Sequence, residues 1–320
     1  MELKRKDDVT ELLEHPARAL ECGCNLAEAP DIRVFPGKTT ELGGGLRINR
    51  ALPVRGKRMV GAWCFLDHFG PLDFDRRAMN VAPHPHIGLQ TVTWLLEGEV
   101  EHKDSLNCHQ IIRPGQLNLM TAGVGITHSE ETPAEHGTRL HGFQFWIALP
   151  DRDRFRDPSF DHFPEVPRTE HEGMDIRIFA GAALGHLSPA PIYSPLMGID
   201  VRIERSGTHC LPLNPAFEHA LLVVEGSISA QGQPCVIGNL YDLGLGRDEV
   251  RFETGAPARF VVVGGEPFPE KILMWWNFVA RTHEELQAAR QDWEAGEHFG
   301  PVSLYRGERL AAPPLTMRLS

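Results

Sequence analysis

Thr93-Trp94-Leu95-Leu96-Glu97-Gly98-Glu99-Val100 reads as an apolar strand running into a glycine turn, and Leu222-Val223-Val224-Glu225-Gly226-Ser227-Ile228 repeats the pattern. The β-branched and aromatic residues from 91 to 96 suit a half-buried pleated backbone, and the Glu-Gly pair closes each run. Each copy is followed by a polar hairpin, a glycine-containing turn and two further apolar runs, which end at residues 140–149 and 259–263. A duplicated β-barrel is the economical explanation.

The surrounding chain agrees with this reading. From Asp31 onward it consists of short apolar runs between Gly, Pro and Asn turns, and its 31 Gly and 25 Pro suit many turns rather than long helices. Arg113-Pro114-Gly115-Gln116 marks one such turn, after which residues 117–120 resume a strand. Closely spaced strands predict an all-β sandwich or barrel. A length of 320 residues exceeds what one core commonly holds. The expected organisation is an N-terminal arm at 1–30, a first barrel at 31–165, a second at 166–280, and a helix with an irregular tail at 281–320. In the arm, Thr10 can cap Leu12 and Leu13 until Pro16 interrupts the turn. Thr282-His283-Glu284-Glu285 is a capping box, and Leu286, Ala289 and Trp293 follow at helical spacing before Gly296, so 282–295 is expected to be an amphipathic helix packed on a barrel.

The residues that point to chemistry lie on either side of the first repeat. His84 and His86 flank Pro85, and His128-Ser129-Glu130 begins 42 residues after His86. Pro85 fixes its own φ and biases His84 towards extended backbone, where residues two apart share a face. The same period joins His128 to Glu130 and turns Ser129 away. Two such edges facing each other would give three imidazoles and one carboxylate around one ion. That donor set suits Fe(II), Mn(II), Cu(II), Ni(II) or Zn(II), and four ligands leave open positions on an octahedral ion. The competing reading is four unrelated surface residues in a chain with 16 His.

Taking Glu97 and Glu225 as equivalent anchors, the four candidate ligands map onto Pro212, Asn214, Ala256 and Ala258, none of which can replace them. His209 and His219 are the nearest histidines, so the second barrel is expected to be metal-free and to buttress the first or wall its pocket. Asp67 and His68 are candidates for orienting a ligand imidazole, or else form a structural hydrogen-bonded pair. Trp94, Met120 and Phe145 line a flat apolar pocket or simply fill the core.

Composition limits the remaining classes. A net charge of -11 disfavours nucleic-acid binding through a basic face, and the cluster Arg47, Arg50, Arg55, Lys57 and Arg58 reads as solvated surface. No apolar run reaches the length of a membrane span, and the charged stretch 1–9 is no secretory signal, which together predict a cytoplasmic protein, or a nuclear one in a cell with a nucleus. Six scattered cysteines, of which only Cys22 and Cys24 are close, predict reduced thiols.

Arg50-Ala51-Leu52-Pro53, Arg58-Met59-Val60-Gly61, Phe65-Leu66-Asp67-His68-Phe69-Gly70-Pro71, His84-Pro85-His86-Ile87-Gly88, Pro114-Gly115, Met120-Thr121-Ala122-Gly123 and His128-Ser129-Glu130 resemble the pirin family in content and order. The likeness covers residues 45–150 closely, while the second half, with Gly265-Glu266-Pro267, is similar in a less specific way. Residues before His15 and much of the stretch to Asp31 match nothing in it. The resemblance implies two cupin barrels in tandem (double-stranded β-helices, or jelly rolls) with one divalent metal ion in the N-terminal barrel. That ion would be foremost Fe(II), with Mn, Cu, Ni, Co or Zn as other occupants, held by His84, His86, His128 and Glu130. Many relatives have Glu where this chain has Gln90, the place of a carboxylate ligand in general cupins. Gln90 lacks that charge, which leaves the role to Glu130.

The activity implied is that of a quercetinase, opening a flavonol ring with dioxygen and releasing carbon monoxide. Glu130 would then be both ligand and catalytic base, or ligand only. The resemblance also implies two alternatives: a metal-binding regulator with a protein partner, acting as a transcription co-regulator or on a metabolic enzyme, and another cupin metalloenzyme with an unknown substrate.

Overall fold

The computed structural model describes residues 31–42, 46–74, 79–135 and 137–315. The expectations for the arm at 1–30, with Cys22 and Cys24, lie outside these residues. Two β-rich units with matching strand orders make up the chain. In the first, Ser159–Phe163, Leu117–Thr121, Leu89–Glu97, Arg139–Ala148, Trp63–Asp73, Leu46–Leu52 and Lys38–Leu42 form one antiparallel sheet in that spatial order. A second sheet orders Asn80–His86, Ile126–Glu131, Val100–Asp104 and His109–Ile112.

The second unit repeats this plan. Its larger sheet runs through Asn239–Gly244, Glu218–Glu225, Ala258–Gly265, Leu196–Ile203 and Met174–Ala183, and its smaller one orders Gly207–Pro212, Glu249–Thr254, Ile228–Ala230 and Gln233–Cys235. The sequence repeat therefore falls on equivalent strands, Leu89–Glu97 and Glu218–Glu225. It also explains why glycine follows both. Gly98 has φ +83° and Gly226 φ +69°, and a Cβ would meet the carbonyl oxygen of Arg139 at 2.3 Å in one barrel and of Pro257 at 2.4 Å in the other. A closing strand passes so near each turn that a side chain has no room.

The compact units interleave along the chain, unlike the division expected from sequence. Residues 31–37 and 54–62 pack with 166–268, whereas 38–53, 63–165 and 269–315 pack together. The reason is edge pairing: Arg33–Pro36 adds to the exposed edge of Asn239–Gly244. The hairpin of Leu273–Trp275 and Phe278–Ala280, in turn, shares an apolar cluster with the C-terminal helix and Phe299. Nor is the basic cluster all solvated. Arg50 makes two bonds of 2.8 Å to the carboxylate of Asp67, and Lys57 is buried within 3.2 Å of Asp242.

The helix spans His283–Ala295 and buries Leu286, Ala289 and Trp293, as its spacing predicts. The Thr282 hydroxyl accepts from the N–H of Glu285, and Gly296 closes the last turn at φ +75°. The capping box is modified in one respect. The Glu285 carboxylate accepts from the N–H of Arg281 and binds both guanidinium nitrogens of Arg154, so it fixes the helix entry to a loop of the first barrel.

Inside the second barrel the corresponding strands contribute Leu211, Leu221, Val223, Val250, Phe252 and Phe260 to one apolar cluster. His219 projects to the same side of its strand as Leu221 and Val223. Burial, and then the charge of Arg247, lower its pKa from 6.5 to about 4.

Gly98→Ala or Gly226→Ala should each lower stability by about 1–3 kcal/mol in urea titrations, since both combine left-handed strain with a backbone clash. His219 takes up its proton near pH 6.5 when unfolded and only near 4 when folded, so this residue makes stability fall as pH drops through that window. His219→Leu should flatten the pH dependence of the urea midpoint between about pH 6.5 and 4 relative to wild type, whatever its effect on the absolute value.

Candidate metal centre

The strand Asn80–His86 carries His84 and His86 on one face, with Pro85 between them, and pairs antiparallel with Ile126–Glu131. The register sets His84 directly opposite His128, and the ring centroids of the two stand 4.4 Å apart. Ligating nitrogens of His84, His86 and His128 all lie within 4.8 Å of one another, and all three rings are buried. The period-2 reading of both sequence motifs thus holds for the imidazoles.

Hydrogen-bond partners assign the tautomers. His84 Nδ1 is 2.9 Å from the carbonyl oxygen of Ala82, and His86 Nδ1 is 2.9 Å from that of Asn277. A carbonyl only accepts, so each Nδ1 carries the proton and each Nε2 presents a lone pair. His86 Nε2 lies 3.0 Å from His128 Nε2. Burial, followed by the charge of the neighbouring imidazoles, drives the pKa values of His86 and His128 well below 6.5, and burial brings that of His84 to about 4. The rings are therefore neutral, and the Nε2 lone pairs of His84 and His86 are available to an ion.

That arrangement fits a divalent transition ion. Two nitrogens each about 2.1 Å from a common ion stand about 3.0–3.4 Å apart at right-angled or tetrahedral geometry.

Glu130 faces the same side of its strand as His128 but is not part of the compact set of three nitrogens. Its Oε1 is 3.4 Å from the Thr93 hydroxyl, and the same hydroxyl lies 3.0 Å from Gln144 Oε1. Burial raises the Glu130 pKa from 4.5 to about 7. A carboxyl so placed is poised to exchange a proton near neutrality, and a neighbouring cation would favour its ionised form. Gln90 donates to the Thr121 hydroxyl at 2.9 Å.

The larger sheet supplies the rest of the surroundings. Phe65, Trp146, Thr91, Met120 and Phe160 are successive cross-strand partners and share a face. Trp146 meets His86 edge-on at 5.2 Å and stacks on Phe65 at 4.1 Å, while Phe160 stacks on His102 at 4.2 Å. Of the three residues considered for a pocket wall, Met120 belongs to this row. Trp94 and Phe145 alternate to the other face, where Phe145 packs on Trp63 and Phe143. Asp67 is held by Arg50, and His68 Nε2 lies 2.8 Å from His141 Nε2, so neither is bonded to the three imidazoles.

Sequence reasoning passed over His102 and Asp104, which sit on Val100–Asp104 opposite Glu130 and His128. His102 Nδ1 is 3.3 Å from His128 Nδ1, and its Nε2 is 3.0 Å from Asp104 Oδ2. Their signal was available: His-x-Asp follows the same two-residue period as the other two motifs.

Comparison with known proteins agrees with the architecture. Residues 45–147 match the Pirin family model, and residues 198–300 match that of the Pirin C-terminal cupin domain. A Pseudomonas aeruginosa protein named "Putative quercetin 2,3-dioxygenase PA1205" is 45% identical over 285 residues, covering 88% of this chain and 90% of its own length. A pirin-like protein of Caulobacter vibrioides is 38% identical over 288 residues, 88% of this chain and 98% of its own. The crystal structure of a quercetin 2,3-dioxygenase from Acinetobacter baumannii superposes with a TM-score of 0.86 at 44% identity, covering 90% of this chain and 97% of that one. With two matched strand orders, a three-histidine cluster in the first barrel and these likenesses along most of its length, the chain belongs to the pirin family, a tandem pair of cupin domains.

Proposed function

We propose that this protein is a metal-dependent dioxygenase that opens the ring of a flavonol with dioxygen and releases carbon monoxide. The observation that carries the reading is the convergence of three neutral, buried imidazoles, with the buried Glu130 carboxyl on the same strand face as His128. His84, His86 and His128 would hold a divalent ion through Nε2, with Glu130 as the fourth ligand. When bound, the ion would supply Lewis acidity, lowering the pKa of a coordinated substrate hydroxyl and stabilising its oxyanion.

The chain's own residues do the remaining work. Glu130 accepts the proton of the flavonol hydroxyl as a carboxylate, a form that the charge of a bound ion would favour. Thr93, anchored between Glu130 and Gln144, restrains the carboxyl. Trp146 and Met120 provide the apolar face against which a flat aromatic substrate would lie, and such surroundings exclude competing water. The names of the similar proteins from Pseudomonas aeruginosa and Acinetobacter baumannii support the same substrate class.

Metal-free protein reconstituted separately with Fe(II), Mn(II), Co(II), Ni(II), Cu(II) and Zn(II) tests the reading by loss of flavonol absorbance under air and by carbon monoxide release. Turnover with at least one ion is expected, and none with any ion would overturn it. Glu130→Gln should lower turnover by about 10²-fold or more when metal content is matched. The double substitution His84→Ala with His86→Ala should abolish metal retention measured by mass spectrometry, and undiminished metal would remove these residues from the site.

A further inference from the structure

We propose that His102 and Asp104 are positioning residues that hold His128 in the tautomer and orientation needed for metal ligation; this rests on the reading of His128 as a ligand. Neither belongs to the three-histidine cluster, yet both are buried and face it across the strand pair. The pairing sets Asp104 opposite His128 and His102 opposite Glu130, which leaves the two imidazoles in diagonal contact.

Donors and acceptors alternate along a path from Asp104 to His128. Asp104 Oδ1 accepts the N–H groups of Leu106 and Cys108 at 2.9 and 3.0 Å, which fixes the carboxylate in the turn that follows its strand. The other oxygen, Oδ2, meets His102 Nε2 at 3.0 Å. An ionised carboxylate only accepts, so Nε2 of His102 carries the proton and Nδ1 of His102 holds a lone pair. That lone pair accepts the Nδ1–H of His128 at 3.3 Å. This tautomer leaves His128 Nε2 unprotonated 3.0 Å from His86 Nε2, as two ligands of one ion require; without an ion that contact favours a proton on His128 Nε2, and the Asp104–His102 pair opposes it. Stacking on Phe160, with ring planes 15° apart, keeps the His102 ring in the plane this requires.

His84 and His86 have their tautomers set by backbone carbonyls, whereas His128 depends on two side chains. A ligand histidine commonly gives its second nitrogen to a carboxylate or carbonyl. Here an imidazole is interposed, so a change at Asp104 is transmitted through two rings. Asparagine at 104 keeps one oxygen for the turn and presents an amide N–H₂ to His102. His102 would then accept at Nε2 and donate from Nδ1. His128 in turn would accept at Nδ1 and carry its proton on Nε2, the atom that must bind the metal.

Long-range ¹H–¹⁵N spectra of the metal-free protein read these tautomers without reference to metal or turnover. Asp104→Asn should shift the His128 proton from Nδ1 towards Nε2 relative to wild type. In parallel, Co(II) titrations against a competing chelator should give affinities about 10–100-fold weaker for Asp104→Asn and His102→Leu. His102→Gln, whose carbonyl can accept from His128, should recover part of the loss. Thermal melts of the metal-free variants identify folded protein, and the two His102 variants carry the test should Asp104→Asn not fold. A His128 tautomer population unchanged by Asp104→Asn, or wild-type Co(II) affinity in folded His102→Leu, would overturn the proposal. Wild-type protein that binds no Co(II) or other divalent ion would instead overturn the metal reading, while the spectra still decide the tautomer.

Discussion

Three imidazoles buried within one barrel, each with its Nδ1 engaged and its Nε2 directed inward, form the constraint around which the first unit is organised. Burial keeps the rings neutral, because a charged imidazole in such surroundings would lose its hydration without a compensating partner. The rings ride on paired strands whose backbone hydrogen bonds fix their separation.

Much of the chain serves to fix the outward nitrogens. Ala82 lies on the same strand as the histidine it holds, so His84 is anchored locally. Asn277 is nearly 200 residues from His86 in sequence, and it reaches the ring because residues 269–315 pack with the first barrel. The helix contributes indirectly: Glu285 ties its first turn to Arg154, and Ile87 bridges Phe278 beside the carbonyl that holds His86. Removing the C-terminal segment would thus affect the centre without touching a ligand.

The two barrels show how one plan serves two purposes. Their strand orders correspond, and both carry glycine where a closing strand crowds the turn. In the first barrel the smaller sheet carries histidines and a carboxylate, and the larger sheet carries Thr93 and Trp146. At corresponding strands the second places Leu211, Val250 and Phe252 in a continuous apolar cluster. Counting residues from the repeated Glu-Gly pairs lands on Ala256 and Ala258, beyond the strand Glu249–Thr254 that sheet order identifies as the counterpart. Strand pairing tolerates insertions that a fixed count does not.

Local periodicity made several features legible from sequence alone. The two-residue period of strands put His84 with His86 and His128 with Glu130, the repeated Glu-Gly closures announced two barrels, and helical spacing named Leu286, Ala289 and Trp293. These are properties of a few neighbouring residues, and backbone geometry converts them directly into shared faces. Tertiary structure alone decided which faces meet. It set His84 opposite His128, brought the Asn277 carbonyl to His86, and turned Trp146 rather than Trp94 towards the imidazoles. It also buried Lys57 beside Asp242 and made Asp104 a partner of His128 through His102. Each of these depends on cross-strand register or on contacts between distant segments, and a one-residue change in register exchanges the two faces of a strand.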